Sequence, residues 1–288
     1  MPEKMKSPSA EVKKTLRNSG LKAKKGLGQH FLVNEAILKT IISAAELSPE
    51  DLVIEIGPGL GILTSELAQN AGNIIAIELD SKLASRLKRK PSLPNNVTVI
   101  NADILKIKLS YLIEGRNSYK VVANIPYYIT SPILQYFIEA SPKPSLMVVM
   151  VQKEVGETIV AKPGEMTVLS VSLQVYSKPK IIAYVPAQDF YPPPKVDSAI
   201  VRFDMLQEPA VKVDNINNFL AFVRCGFRSP RKQLRNSLAQ GLSIKQSEVT
   251  LLLAEAKIEA QRRPETLNLE EWQRLYEITL TSGKVTLT

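Results

Sequence analysis

The stretch Leu52-Val53-Ile54-Glu55-Ile56-Gly57-Pro58-Gly59-Leu60-Gly61 decides the fold. Its first five residues form an apolar run dense in β-branched side chains, the composition of a buried strand. The glycines that follow permit a sharp turn, and the residues to about Ala68 carry a helical pattern. Downstream, Ile74–Glu78, Val97–Ile100, Val121–Ala123 and Leu146–Val151 also read as strands, with a helix over Asp80–Lys90. Strand and helix signals alternate, and the helical stretches are long enough to cross over. The expected fold class is therefore α/β, a mainly parallel, doubly wound sheet.

The texture changes after residue 165. Thr167–Tyr176 and Ser198–Phe203 read as strands on either side of the proline-rich Val185–Lys195, and they extend the sheet with an antiparallel edge strand. From about 206 the β signals fade. Ile216–Gly226, Pro230–Gln240, Ser247–Ala256 and Leu269–Leu280 look helical. Ser229 then serves as a helix cap, Pro230 as a first-turn proline and Gly241 as a stop. The predicted organisation is a disordered basic tail over 1–20, an α/β domain over 21–205 and a small all-α domain over 206–288.

The bulk properties narrow the function classes. The chain has 288 residues, 44% hydrophobic and 23% charged, an ordinary globular balance. Its net charge of +9 points to a polyanionic partner. That charge sits at the ends. Residues 1–25 hold eight basic residues against two acids, 26–205 hold 17 of each sign, and 206–288 hold twelve against nine. With one cysteine, Cys225, and one histidine, His30, a disulfide within the chain and a Cys/His zinc site are both excluded. The longest apolar run, Leu146–Val151, is too short to span a bilayer, and the Lys-rich start lacks the apolar centre of a secretory signal. A cytoplasmic protein without metal or membrane partner is expected.

Glu78 ends the second strand, 21 residues after Gly57, where a carboxylate can accept both hydroxyl protons of a ribose. An adenosine-containing cofactor fits this arrangement. A dinucleotide fits less well, because the third glycine of its pattern would fall at Ile62 and the acidic Glu55 precedes the loop. A cationic cofactor such as S-adenosylmethionine suits the acids better. Asp103 follows the third strand and reads equally as an acceptor for an adenine amino group or as a helix cap.

Asn124-Ile125-Pro126-Tyr127 is the sharpest feature. The amino nitrogen of adenine is a poor nucleophile because its lone pair is delocalised into the ring. The Asn124 side-chain oxygen and the Ile125 main-chain oxygen, aimed at its two protons, would hold it closer to tetrahedral and free the lone pair for attack on a methyl sulfonium. Pro126 stiffens the turn, and Tyr127 offers a face for stacking the base. His30, beside Phe31, is not assigned a role by spacing alone. Phe190-Tyr191-Pro192-Pro193-Pro194-Lys195 is a stiff aromatic loop that either presents a ring opposite Tyr127 or merely connects strands. Arg224, Arg228, Arg231, Lys232 and Arg235 lie in one acid-free segment, a candidate for RNA phosphates.

Together these segments resemble the small-subunit ribosomal RNA adenine N6,N6-dimethyltransferase family, of KsgA type. The stretches that carry the resemblance are Gly26–Leu32, Glu55–Gly61, Ile77–Asp80, Ala102-Asp103, Asn124–Tyr128, Gln152–Val155, Pro192–Ser198 and Arg231–Leu238. The resemblance implies a class I S-adenosylmethionine-dependent methyltransferase domain. It also implies double methylation of two adjacent adenosines near the 3′ end of 16S rRNA, on an immature small ribosomal subunit, by a monomer. By matched motif, His30 and Leu32 would line the methionine end of the cofactor, and Gly57 and Gly59 its backbone cradle. Glu78 would take the ribose, Asp103 the adenine, and Asn124 both cofactor and target. Tyr127 and Phe190 would stack the flipped base. Two departures stand out: Ser229-Pro230-Arg231-Lys232 replaces the family's Gln-Arg-Arg-Lys run, and Met166-Thr167 replaces a Tyr-Gly pair.

Overall fold

A central strand can be apolar on both faces only where helices cover both, and Leu52–Ile56 is buried at all five positions. In the computed structural model, which describes residues 12–14, 16 and 23–283, this strand lies at the centre of a doubly wound sheet. The chain divides into two compact units, residues 1–156 with 179–205, and residues 157–178 with 206–288.

In the first unit, the short strand Phe31–Leu32 (β1) leads into helix Glu35–Ala45 (α1), whose N-cap Asn34 accepts from the backbone of Ala36 and Ile37. Leu52–Ile56 (β2), helix Ile62–Asn70 (α2), Asn73–Glu78 (β3), helix Ser81–Lys88 (α3) and Val97–Asn101 (β4) follow. Then come helix Leu109–Ile113 (α4), Lys120–Asn124 (β5), helix Thr130–Ile138 (α5), Leu146–Gln152 (β6) and helix Lys153–Ile159 (α6). The chain then passes through helix Val168–Gln174 (α7), which belongs to the second unit, and returns with Ser177–Val185 (β7), Phe190–Tyr191 (β8) and Ser198–Met205 (β9). The main sheet has the order β4-β3-β2-β5-β6-β9-β7. Strands β2 to β6 pair in parallel, and β9 runs antiparallel to β6. A second, two-stranded sheet joins β1 to β8, with Leu32 opposite Phe190. Leu38, Ile41, Val53, Leu63, Val122 and Val148 belong to the main core.

Three expectations change here. Thr167–Tyr176 is helix α7, not a strand. Thr167 caps it reciprocally with Ser170, so local hydrogen bonding outweighs the β-branched composition. The additional strand is instead β7, which contains Pro179 and lies at the sheet edge, the place in a sheet where proline is tolerated. Residues 157–178, expected within the sheet domain, belong to the helical unit. Most of the predicted tail over 1–20 lies outside the described residues. Of those described, Val12–Lys14 and Leu16 are helical, and Val12 and Leu16 are buried against Phe31, Leu60 and Leu83. Apolar burial orders this piece of the tail.

The second unit contains helices Ile216–Gly226 (α8), Leu234–Leu242 (α9), Gln246–Glu255 (α10) and Leu269–Thr281 (α11). Phe219, Phe222, Trp272 and Tyr276 form its aromatic centre. Helix α9 starts at Leu234, later than expected at Pro230. Lys232 N donates to Ser229 O in a turn, and Leu234 N–H finds its acceptor in Arg262 O at 2.7 Å. Ser229 is therefore not the cap, nor Pro230 a helical residue. Gly241 does not stop the helix either. It lies inside α9, where an added Cβ would come within 2.5 Å of Cys225 O on α8, so the absence of a side chain permits close helix packing.

Candidate active site

The carboxyl ends of β2, β3 and β5, together with the segment around β1, enclose one cleft in the first unit. Each strand delivers part of it. β2 ends in the glycine loop. Gly59 has a φ of 57°, its N–H donates to Glu78 Oε2 at 3.0 Å, and an added Cβ would meet the Phe31 ring at 2.9 Å. Both steric space and backbone angle demand glycine there. At the end of β3, Glu78 also accepts Asp80 N–H at 2.8 Å through Oε1. Burial raises its carboxyl above the ordinary value, even though the two backbone donors pull it down. Each oxygen keeps acceptor capacity for a ligand hydroxyl.

Glu55, on strand β2, read from the sequence only as an acid that favours a cationic cofactor and given no individual role, lines the same cleft. It is 1% exposed, and its Oε2 has no hydrogen-bond partner among the described residues. Burial pushes its carboxyl up to about 8; the Thr64 hydroxyl opposes the rise and the neighbouring Glu78 adds to it. A buried carboxyl that is neutral in the fold and ionised when unfolded gives a definite sign. Its contribution to stability is full below the ordinary value of 4.5 and is lost as pH rises through about 8. In ligand-free protein, Glu55→Gln should therefore gain in melting temperature over the parent as pH rises across that interval. A difference that does not vary with pH contradicts this reading.

Asn124 closes β5. Its Nδ2 donates to His30 O at 3.1 Å, which leaves Oδ1 as the atom available to accept a ligand proton. Ile125 N–H donates to Met150 O at 3.2 Å, so the β5–β6 pairing reaches one residue into the motif and fixes its direction. Tyr127 is turned inward. Its hydroxyl meets Ser198 Oγ at 2.5 Å, and its ring lies 6.0 Å from that of His30 at an interplanar angle of 19°. Burial raises the phenol above its ordinary range. The next residue, Tyr128, also lines the cleft and is 53% exposed, and sequence reasoning passed it over.

The His30 segment is held by the proline loop: His30 Nδ1 lies 2.6 Å from Pro192 O, and β1 pairs with β8. At its other end, Lys24 forms a salt bridge to Asp80 at 2.7 Å, and Gln29 Nε2 donates to the same carboxylate. Burial alone would raise Asp80, but Lys24 and the Lys82 N–H hold it below the usual range.

His30, Leu32, Gly57, Gly59, Glu78, Asp103, Asn124, Ile125, Pro126 and Tyr127 thus share one cleft. Asp103 also caps a short turn by accepting from Leu105 N–H, so both of its readings coexist. Phe190 does not line the cleft. It is 2% exposed and packs in the main core beside Leu32, because the β1–β8 register turns both side chains inward. The ring expected opposite Tyr127 is therefore a structural anchor. In the second unit, Arg224, Arg228, Arg231 and Lys232 are exposed at the end of α8 and on the turn before α9, while Arg235 is half-buried. Among the described residues there is no cluster of three or more metal-ligating side chains, and no helix is long and apolar enough to cross a membrane.

Comparison with known proteins places the chain in a family. The chain is 47% identical over 266 residues to the ribosomal RNA small subunit methyltransferase A of Dehalococcoides mccartyi, covering 92% of this chain and 91% of that protein. It is 40% identical over 277 residues to the protein of the same name from Alkaliphilus oremlandii, with 94% and 96% covered. Among solved structures, a dimethyladenosine transferase from Plasmodium falciparum superposes with a TM-score of 0.76 at 26% identity, covering 90% of this chain and all of that one. The 23S rRNA methyltransferase ErmE gives 0.68 at 29% identity, with 86% and 98% covered. The family model for ribosomal RNA adenine dimethylases matches residues 20–279, and the chain belongs to that family.

Proposed function

We propose that this chain transfers methyl groups from S-adenosylmethionine to N6 of two adjacent adenosines near the 3′ end of 16S rRNA, twice each, on an immature small subunit. The observation that carries the reading is the orientation of Asn124. With Nδ2 committed to His30 O, Oδ1 is left to accept a proton of the target amine.

The residues of the cleft suit the cofactor. Glu55 Oε2 is a buried acceptor without a partner among the described residues, and it suits the cationic methionine end. Gly57 and Gly59 leave bare main chain for close approach, and His30 and Leu32 line the same end. Glu78 takes the ribose hydroxyls and Asp103 the adenine. When bound, S-adenosylmethionine supplies an electrophilic methyl group on a sulfonium centre. Asn124 Oδ1 and the Ile125 carbonyl accept the two protons of the target amine and orient its lone pair. Tyr127, braced by Ser198, and exposed Tyr128 offer aromatic surface for a base taken out of its stack. No general base is needed before transfer, because the methylated ammonium is acidic enough to lose its proton to water. Orientation and electrostatics supply the catalysis. The exposed cations Arg224, Arg228, Arg231 and Lys232 contribute phosphate contacts, and the chain acts as a monomer in the cytoplasm.

The test offers undermethylated small and large ribosomal subunits, separately, with labelled cofactor. Label should enter the small subunit only. Label in the large subunit would move the assignment to the class of the 23S enzyme.

A further inference from the structure

We infer that a cationic groove along helix α3 of the catalytic unit is a second RNA-docking surface, gripping the phosphate backbone beside the cofactor cleft. This rests on the rRNA reading above and adds a contact surface within the catalytic unit itself. Over residues 26–205 the charges balance, yet their placement does not. Ser81–Pro91 contains Lys82, Arg86, Lys88, Arg89 and Lys90 and no acid.

The helix is built to display them. Leu83, Ala84 and Leu87 are buried, and Lys82, Arg86 and Arg89 recur at helical spacing on the opposite face. A groove is lined by Ser81, Lys82, Ser85, Arg86, Arg89 and Lys90, which includes four cations and no carboxylate. Lys90 folds in beside them with Nζ 3.3 Å from Ser65 Oγ, and its ammonium is depressed by burial and by the charge of Arg86. Among the described residues, no salt bridge reaches Lys82, Arg89 or Lys90. Holding the like charges of Lys82, Arg89 and Lys90 close together opposes folding, and an arriving polyanion reverses that cost.

Position selects the polyanion. Asp80 caps α3 two residues after Glu78, and Leu83 lines the cofactor cleft, so the groove starts at the rim of the reaction site. From Lys82 to Arg89 the helix rises about 10 Å, enough for on the order of three phosphates along one strand. An RNA whose target base enters the cleft brings neighbouring phosphates to this rim.

The test is the combined variant Lys82→Gln, Arg89→Gln, Lys90→Gln, compared with Lys39→Gln, Lys108→Gln, Lys162→Gln, which removes the same charge at scattered exposed sites. The groove variant should flatten the dependence of log affinity for small-subunit RNA on log salt by roughly 2 to 3, at 0.7–0.9 per lost contact. It should also raise KM for the subunit while leaving kcat and cofactor affinity unchanged. Lys82→Arg, Arg89→Lys, Lys90→Arg should restore the slope. A slope equal to that of the scattered variant would overturn the groove, whereas failure of the unaltered protein to methylate small subunits would overturn the rRNA reading instead.

Discussion

Asn124→Ala should lower methyl transfer to small subunits by about 10²–10³-fold, the usual loss when one preorganised polar group is removed from a reaction centre. The loss should fall on kcat. Cofactor affinity should change far less, because Glu78 and Asp103, the acceptors proposed for the ribose and the adenine, stand on β3 and after β4. Asn124→Asp is the more telling companion. It keeps an acceptor oxygen but cannot donate to His30 O, and it sets a carboxylate against that carbonyl. If the role of Asn124 were only to hold the His30 segment, both variants would mainly weaken cofactor binding, and kcat at saturation would survive. Single-turnover transfer measured beside calorimetric cofactor binding separates the two outcomes. Near-complete turnover by Asn124→Ala would remove the residue from the mechanism.

Glu78→Ala should have the largest effect on the cofactor itself. Two hydrogen bonds to a charged acceptor contribute about 1.5–3 kcal/mol each, so affinity should fall by at least roughly 10²-fold. The same carboxylate receives Gly59 N–H and Asp80 N–H, so its removal also frees the glycine loop and the start of α3. Glu78→Gln keeps one acceptor and supplies a donor, and it should lie between the two. Calorimetric titration of S-adenosylmethionine into each variant measures this. Affinity within a factor of two or so of the parent for Glu78→Ala would place the ribose elsewhere, since such a change is smaller than one ordinary hydrogen bond.

The sheet was legible because its strands are locally distinctive. Leu52–Ile56, apolar except for Glu55, and Leu146–Val151 are apolar runs, and such runs leave few alternatives for a parallel sheet. The residues lining the cleft were legible because glycine loop, Glu78 and Asp103 sit at successive strand ends, where the topology must gather them. What was missed depends on partners distant in the chain. Phe190 looked like a presented ring until pairing with β1 turned it into the core beside Leu32. Glu55 was read as an acid beside the glycine loop, but its burial, with an oxygen unpartnered among the described residues, depends on the packed fold. Val168, Val171 and Val175 suggested a strand, but the reciprocal cap at Thr167 starts a helix. Ser198, part of a motif that resembled a family signature, has a physical use as the brace for the Tyr127 hydroxyl. That bond ties the Asn124–Tyr127 and Pro192–Ser198 stretches together in this chain.

The most direct measurement maps, at nucleotide resolution, the methyl groups this chain places on undermethylated small subunits. The account predicts N6,N6-dimethyladenosine at two adjacent positions near the 3′ end of the small-subunit rRNA and nowhere else. A single methylated adenine, or methylation confined to the large-subunit rRNA, would contradict it.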